Sequence, residues 1–188
     1  MDAVRNQMKL VQTPSVAERG ANDVALPAAA RSFAILTCMD ARIDGGKLAA
    51  LRDGDAQIVR NAGARASDDA IRSLMLSYTA FGTREWFVVH HSHCGLALLD
   101  EETSRDLLIA SSNASLRDSC ERVKQAGAQG PVVIDWSSLH DECHGLVEDV
   151  DRIRNHPLVP QDVSIYGYIY QTDTGRLVRV QQATRLGS

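Results

Sequence analysis

The motif Cys38-x-Asp40-x-Arg42 begins directly after an apolar run at residues 33–36, and this junction constrains the chain more than any other feature. Four consecutive apolar residues bounded by polar ones are typical of a strand buried in a sheet. In open parallel sheets, the side chains that follow the strands lie where α/β proteins bind their ligands, beyond the carboxyl ends of the strands. We therefore expect a functional site at this junction.

A second junction of the same kind lies further along the chain, where the apolar run 86–89 leads into His91-x-x-Cys94. Two neighbouring parallel strands would bring these side chains together with Cys38. Cysteine sulfur and histidine nitrogen are typical ligands of zinc, and three protein ligands leave the fourth tetrahedral position open to water, as in catalytic zinc sites. The two junctions together predict such a site.

Composition narrows the class of protein further. A chain of 188 residues with 44% hydrophobic and 23% charged residues is expected to form a single domain, 1–188, with residues 1–30 as an N-terminal helical arm. The net charge of -4 without a basic block argues against nucleic acid, and the apolar runs are too short to cross a membrane. With no visible signal peptide, the four cysteines indicate reduced thiols in the cytoplasm rather than disulfides.

The clearest helix follows Ser67, which is predicted to cap its N-terminus, and ends before Gly82, which is predicted to cap its C-terminus. Asp68 and Asp69 suit the positive end of the helix dipole. Apolar residues recur at helical spacing and form one apolar stripe: Ile71, Leu74, Met75 and Tyr78.

Other patterns complete the predicted architecture. Residues 56–60 are expected to form a strand, 141–155 a helix, and 163–170 with 177–180 a hairpin. The fold class is therefore predicted as α/β, with a central, mostly parallel sheet flanked by helices and ending in a C-terminal hairpin.

Together, the two junction motifs resemble the β-class carbonic anhydrases, in particular their bacterial class-D branch. The resemblance extends over residues 31–100 and 140–181 and is weaker elsewhere. Its further matching segments are residues 60–63, 68–74 and 82–85, the pair His90-His91, and the hairpin segment 168–177.

This resemblance implies that Cys38, His91 and Cys94 bind one zinc ion and that Asp40 and Arg42 form a catalytic dyad. The implied reaction is the reversible hydration of carbon dioxide to bicarbonate by zinc-bound hydroxide, with a small-molecule substrate as partner. The resemblance also implies a homodimer or a dimer of dimers, with the N-terminal arm wrapping the partner. In an inactive state known in this family, the carboxylate equivalent to Asp40 ligates the metal, and the sequence does not decide between the two states.

One departure from the family pattern matters: the family commonly has His-Thr-Asp-Cys-Gly where this chain has His91-Ser92-His93-Cys94-Gly95, with His93 in place of the aspartate. His93 is not at a ligand position, so the zinc set is intact. Because relatives on this scaffold hydrolyse carbonyl sulfide or carbon disulfide, those substrates form the alternative hypothesis. A non-catalytic zinc protein is a third one, but a structural site would need neither Asp40 nor Arg42.

Four further groups of polar residues are expected to have structural roles rather than functional ones. His90 is expected to be a structural residue at a strand end, and Cys120 a core or surface thiol. Successive residues on a helix point in different directions, so Cys143 is expected to be buried and His144 exposed. The charged faces of residues 148–154 are expected to be solvated or to lie at an interface.

Overall fold

The computed structural model describes residues 33–44, 48, 51, 54–98, 103 and 142–188. Within these residues, one sheet contains five strands: β1 (Phe33–Cys38), β2 (Ala56–Asn61), β3 (Glu85–His91), β4 (Ser164–Gln171) and β5 (Arg176–Arg185). Their order is β2-β1-β3-β4-β5, with four parallel strands and β5 antiparallel to β4. The predicted fold class, including the C-terminal hairpin, is confirmed. The predicted arm at 1–30 and Cys120 lie outside the described residues.

The register of the sheet brings the two junctions to the same edge. β1 lies between β2 and β3 and is parallel to both, with Cys38 opposite Asn61 and Thr37 opposite Val89. The Thr37 hydroxyl also donates to the carbonyl oxygen of Val89 at 3.0 Å. The carboxyl ends of the three strands are thereby aligned, which is the position that open parallel sheets use for ligands.

Helix α1 (Asp68–Phe81) begins and ends as its sequence predicts. The Ser67 hydroxyl accepts a hydrogen bond from the backbone N–H of Ala70, and Gly82 adopts the left-handed conformation at φ 73°. Glycine has no Cβ to clash in this conformation, so it ends the helix without strain. Helix α2 (Glu142–Asn155) agrees with the predicted helix at 141–155. No helix among the described residues has the length and apolarity needed to cross a membrane.

Both helices pack against one face of the sheet and form the larger hydrophobic core. The buried side chains of this core come from β1, α1, β3, α2 and β4, and they include Leu36, Ile71, Leu74, Trp86, Val88, Leu146, Val150, Ile153 and Ile165. Full burial of one such aliphatic side chain contributes about 1.5–3 kcal/mol. This core makes β1 and β3 a rigid base for the residues that follow them.

A smaller apolar cluster lies around the carboxyl ends of β1 and β3. It contains Ile35, Ile43 and Val89 together with the two junction cysteines, Cys38 and Cys94. The sulfur atoms therefore lie in apolar surroundings, with little access to water.

Candidate metal centre

Three side chains that could ligate a metal converge at the ends of β1 and β3. The ligand atoms of Cys38, His91 and Cys94 all lie within 4.8 Å of one another, and the three residues are buried. Cys38 is the last residue of β1 and His91 the last of β3, so the parallel pairing of these strands brings them together. Cys94 follows in the turn after β3.

The orientation of His91 fits a metal ligand. Its Nδ1 lies 3.1 Å from the carbonyl oxygen of Ser92, an interaction in which Nδ1 carries the proton. The Nε2 atom is buried and has no hydrogen-bond partner among the described residues. A buried nitrogen without a partner is costly, and a metal ion would satisfy it. A ligating histidine commonly donates its other N–H to a carbonyl in this way.

The surroundings of Cys38 favour its thiolate form. A hydrogen bond with Cys94 is the main cause that lowers the pKa of Cys38 below that of an ordinary thiol. Burial opposes this shift, whereas His91 and the backbone N–H groups of Asp40 and Gly63 reinforce it. Thiolates are the form in which cysteine binds metals, so two thiols and one imidazole fit zinc.

Asp40 lies beside this group and is held by Arg42. The Arg42 Nε donates to Asp40 Oδ1 at 2.9 Å and Nη2 donates to Oδ2 at 2.7 Å, while the backbone N–H of Arg42 adds a third bond to Oδ1 at 2.9 Å. These hydrogen bonds hold the pKa of Asp40 well below its usual range. The Oδ2 atom lies 3.9 Å from Nε2 of His91, so an ionised carboxylate flanks the candidate metal position.

Arg42 also reaches the second junction. Its Nη2 donates to the carbonyl oxygen of His93 at 2.9 Å, which links the loop after β1 to the turn after β3. His93 is exposed and has a positive φ of 55°, a conformation uncommon for residues other than glycine. The sequence shows that His93 directly precedes the candidate ligand Cys94, but it does not predict this backbone conformation.

His90 takes part in a buried charged cluster that the sequence did not predict. Asp149 of α2 is 2% exposed, and its Oδ2 lies 3.1 Å from His90 Nε2 and 3.2 Å from Arg65 Nε. Its Oδ1 accepts a hydrogen bond from the backbone N–H of Ala66 at 2.8 Å. The expectation that the charged faces of 148–154 are solvated or at an interface is therefore wrong at Asp149, because this side chain is buried inside the chain and joins α2 to the loop after β2 and to β3.

The structure separates Cys143 and His144 from the candidate metal group. His144 is exposed as expected and pairs with Glu148 at 3.1 Å. The expected burial of Cys143 is wrong, since its thiol is exposed. Cys143 lies in the first turn of α2, one turn before Leu146, where the buried stripe of the helix begins.

Comparison with known proteins places the site in a family context. The family model described as carbonic anhydrase matches residues 33–177. Over 154 residues, the chain is 35% identical to the carbon disulfide hydrolase of Acidithiobacillus thiooxidans, covering 78% of this chain and 76% of that protein. Over 153 residues, it is 31% identical to β-carbonic anhydrase 1 of Mycobacterium tuberculosis, covering 80% and 82%.

A solved structure gives the same result for the fold. The crystal structure of carbonic anhydrase from Streptococcus mutans matches with a TM-score of 0.73 at 35% identity, covering 96% of this chain and 99% of that one. The family match includes both junctions, from the first residue of β1 to the terminal hairpin.

Proposed function

The chain belongs to the β-carbonic anhydrase family, and on this premise we propose that it is a zinc enzyme that reversibly hydrates carbon dioxide to bicarbonate. The observation that carries this proposal is the buried group of two thiols and one imidazole, flanked by a carboxylate that an arginine holds. The test is direct measurement of carbon dioxide hydration by the zinc-loaded protein, with its zinc content determined on the same sample.

We assign the metal ligands as Cys38, His91 and Cys94, one zinc ion per chain. When bound, zinc supplies a Lewis acid that acidifies water to a nucleophile near neutral pH. Two thiolates offset the 2+ charge of zinc, so this ligand set should acidify water less than three imidazoles do. The protein must therefore contribute further groups that favour the reactive form of water.

Asp40 is the group suited to that task. Its carboxylate lies beside the ligand set and can accept a hydrogen bond from the attacking water, which orients the water and favours loss of its proton. Arg42 keeps the carboxylate ionised, because a bidentate guanidinium pair stabilises the charged form. The hydrogen bonds between Asp40 and Arg42 support this role, because the active state requires the carboxylate to be paired with Arg42 and not with the metal.

The apolar neighbours of the cysteines suit a small, uncharged substrate. Ile43 and Val89 are buried in the same cluster as Cys38 and Cys94, and Met39 is 63% exposed between Cys38 and Asp40. Carbon dioxide is linear, apolar overall and electrophilic at carbon. Apolar surroundings of this kind suit such a molecule better than a charged one, and Asp40 and Arg42 supply the polar groups.

A second candidate function uses the same site on carbon disulfide or carbonyl sulfide. The observation that favours it is the 35% identity to a carbon disulfide hydrolase, a value as high as that to the solved carbonic anhydrase. These molecules share the linear shape and the electrophilic carbon of carbon dioxide. They differ in the larger and more polarisable sulfur, so discrimination must come from the fit of the pocket wall.

His93 is the residue at which we test the choice of substrate. We expect the wild-type protein to hydrate carbon dioxide as its main activity and His93→Asp to change this activity only modestly. A small difference in pocket fit is worth about 1–3 kcal/mol, or roughly 10–200-fold in selectivity. The measurement is turnover of carbon dioxide, carbonyl sulfide and carbon disulfide by both proteins.

Two further variants make this test specific. His93→Asn changes the side chain without adding charge, and both asparagine and aspartate tolerate the positive φ at this position. His144→Asn replaces an exposed histidine on α2 and serves as the control. Rapid sulfide release with poor carbon dioxide hydration by the wild type would replace the first proposal with the second.

We expect activity to rise with pH from mildly acidic to alkaline conditions, with no contribution from titration of Asp40. The pKa of Asp40 is lowered by Arg42, so its carboxylate is ionised throughout this range and is lost as an acceptor only in strong acid. Burial lowers the pKa of His91, but its interactions with Cys38 outweigh this and raise it overall. Protons compete with zinc for this imidazole, so zinc content is expected to fall in acid. Rates and zinc content measured together across pH provide the check, and a flat profile would contradict the expectation.

We further propose a cytoplasmic homodimer or dimer of dimers. Among the described residues, no strand pairs with the outer edge of β2 or of β5. Ile58 on β2 is 39% exposed and Val178 on β5 is 44% exposed. Open edges with exposed apolar side chains favour association with another chain, and these two edges are the surfaces through which we expect it to occur.

A further inference from the structure

Arg60 makes two hydrogen bonds to the main chain of the first junction. It is the fifth residue of β2, and its Nε donates to the carbonyl oxygen of Cys38 at 3.1 Å. Its Nη2 donates to the carbonyl oxygen of Asp40 at 2.9 Å. A single guanidinium thus binds the carbonyl groups on either side of Met39, and charge-assisted bonds of this kind are stronger than neutral ones.

The end of β2 holds the same loop through its backbone. The N–H of Met39 donates to the carbonyl oxygen of Asn61 at 2.8 Å. With the two bonds from Arg60, three hydrogen bonds connect the end of β2 to the three residues from Cys38 to Asp40. Two of the three come from one exposed side chain.

The pairing of Asp40 with Arg42 cannot by itself fix where the carboxylate lies. The two residues are two positions apart on the same loop, so they can move together without breaking their hydrogen bonds. Their position relative to the sheet depends on bonds to other segments. Side-chain hydrogen bonds to other segments run from Arg42 to the carbonyl oxygen of His93 and from Arg60 to the carbonyl oxygen of Asp40.

We propose that Arg60 is a positioning residue, which fixes the main chain of Asp40 to β2 and thereby places the Asp40 carboxylate beside the metal ligands. This inference rests on the proposed function for its kinetic consequences but not for its structural ones. Arg60 acts through Asp40 and is not assigned any contact with substrate. A lysine at this position carries the same charge but lacks the planar fork that reaches two carbonyl groups at once.

The experiment compares Arg60→Ala and Arg60→Lys with Arg72→Ala in the zinc-loaded protein. Arg72 is an exposed arginine on α1 that pairs with Asp69 at 2.8 Å, which makes it a matched control away from the site. For each protein we would determine zinc per chain, kcat and KM separately, and amide hydrogen exchange of peptides covering 38–44 and 164–171.

We expect both Arg60 variants to keep zinc and to lose kcat by about tenfold with little change in KM, since misplacement of a reacting group by about 1 Å can cost roughly 100-fold. Exchange should become faster in residues 38–44 and stay unchanged in 164–171, the β4 segment. Methylguanidinium added to Arg60→Ala should restore part of kcat, because position 60 is exposed and the missing group can be supplied from solution. Arg72→Ala should match the wild type in every measurement.

Three results would overturn the proposal. They are unchanged exchange in residues 38–44, loss of zinc in proportion to activity, and a rise in KM alone, which would make Arg60 a ligand of the substrate. The exchange measurement is independent of catalysis. If the wild type turned over none of the three substrates, the proposed function would fail while exchange still decided whether Arg60 holds the loop.

Discussion

Cys38→Ala is expected to lose zinc and activity together. The sulfur of Cys38 is one of three candidate ligand atoms within 4.8 Å of one another, and its removal leaves one thiol and one imidazole. Mutation of a residue that hydrogen-bonds to a metal ligand commonly costs about 10–100-fold in metal affinity or activity. Removal of the ligand itself should therefore lower zinc affinity by more than roughly 100-fold. Elemental analysis of zinc per chain and carbon dioxide hydration on the same sample provide the measurement.

Two further variants separate ligation from folding. Cys38 is 1% exposed, so a protein with alanine at this position could lose zinc because the site collapses. Cys38→Ser keeps the size of the side chain and should still lose most of the metal, with circular dichroism and thermal unfolding reporting on the fold. Cys143→Ala removes an exposed thiol on α2 and should retain both zinc and activity. Unchanged zinc content in Cys38→Ala would refute the assignment of the site.

The second large effect is expected for Asp40→Asn, which should keep zinc and lose most of its activity. An amide occupies the same space as the carboxylate but does not act as the same charged acceptor. Positioned acid–base groups contribute about 10²–10⁴-fold to a rate, so a loss in that range is expected. Zinc content should stay near one per chain, because Asp40 is paired with Arg42 rather than grouped with the three ligands.

Arg42→Ala belongs to the same class, for a different reason. Without the fork of hydrogen bonds, Asp40 loses the partner that fixes its carboxylate and lowers its pKa. The link to the carbonyl of His93 is lost as well. We therefore expect retained zinc and a loss of kcat, with Asp40 either mobile or drawn onto the metal.

The surface pair Asp69–Arg72 provides the matched control for both variants. It is a salt bridge of the same residue types at 2.8 Å, exposed on α1 and remote from the junctions. Exposed pairs of this kind contribute only about 0–1 kcal/mol to stability. Asp69→Asn should therefore leave zinc and rate unchanged. Normal turnover by Asp40→Asn or by Arg42→Ala would show that the pair is not part of the mechanism.

The state of Asp40 bears on how the enzyme would be regulated. The sequence leaves open whether Asp40 pairs with Arg42 or ligates the metal. In the structure, both carboxylate oxygens accept hydrogen bonds from Arg42. The hydrogen bonds that hold this arrangement come from β2 through Arg60 and reach the turn after β3 through Arg42. Any change that weakens them should favour the alternative state.

Much of the fold could be predicted from local sequence, because apolar runs and helix caps each involve only a few neighbouring residues. The apolar runs before Cys38 and His91 became β1 and β3. Ser67 caps α1 through its hydroxyl, and Gly82 ends the helix because glycine adopts a positive φ without strain. The grouping of the three candidate ligands also followed, since two parallel neighbouring strands necessarily end at one edge.

Contacts between residues far apart in the chain were decided only by the tertiary structure. Asp149 is buried because α2 places it against Arg65 and His90, and a charged helical segment alone predicts a solvated face. In the sequence, Arg60 is only an arginine near the end of a predicted strand. The register of the sheet places β2 beside the loop after β1, and this brings Arg60 within hydrogen-bond distance of the carbonyl groups there.

The positive φ of His93 was likewise decided by the tertiary structure, since no property of histidine requires it. Residue types and short spacings determined which atoms could bind zinc and which strands carry them. The positions of the groups that hold Asp40 depend on strand register and on packing across the sheet. Those are set by the whole core at once, and no short stretch of sequence encodes them.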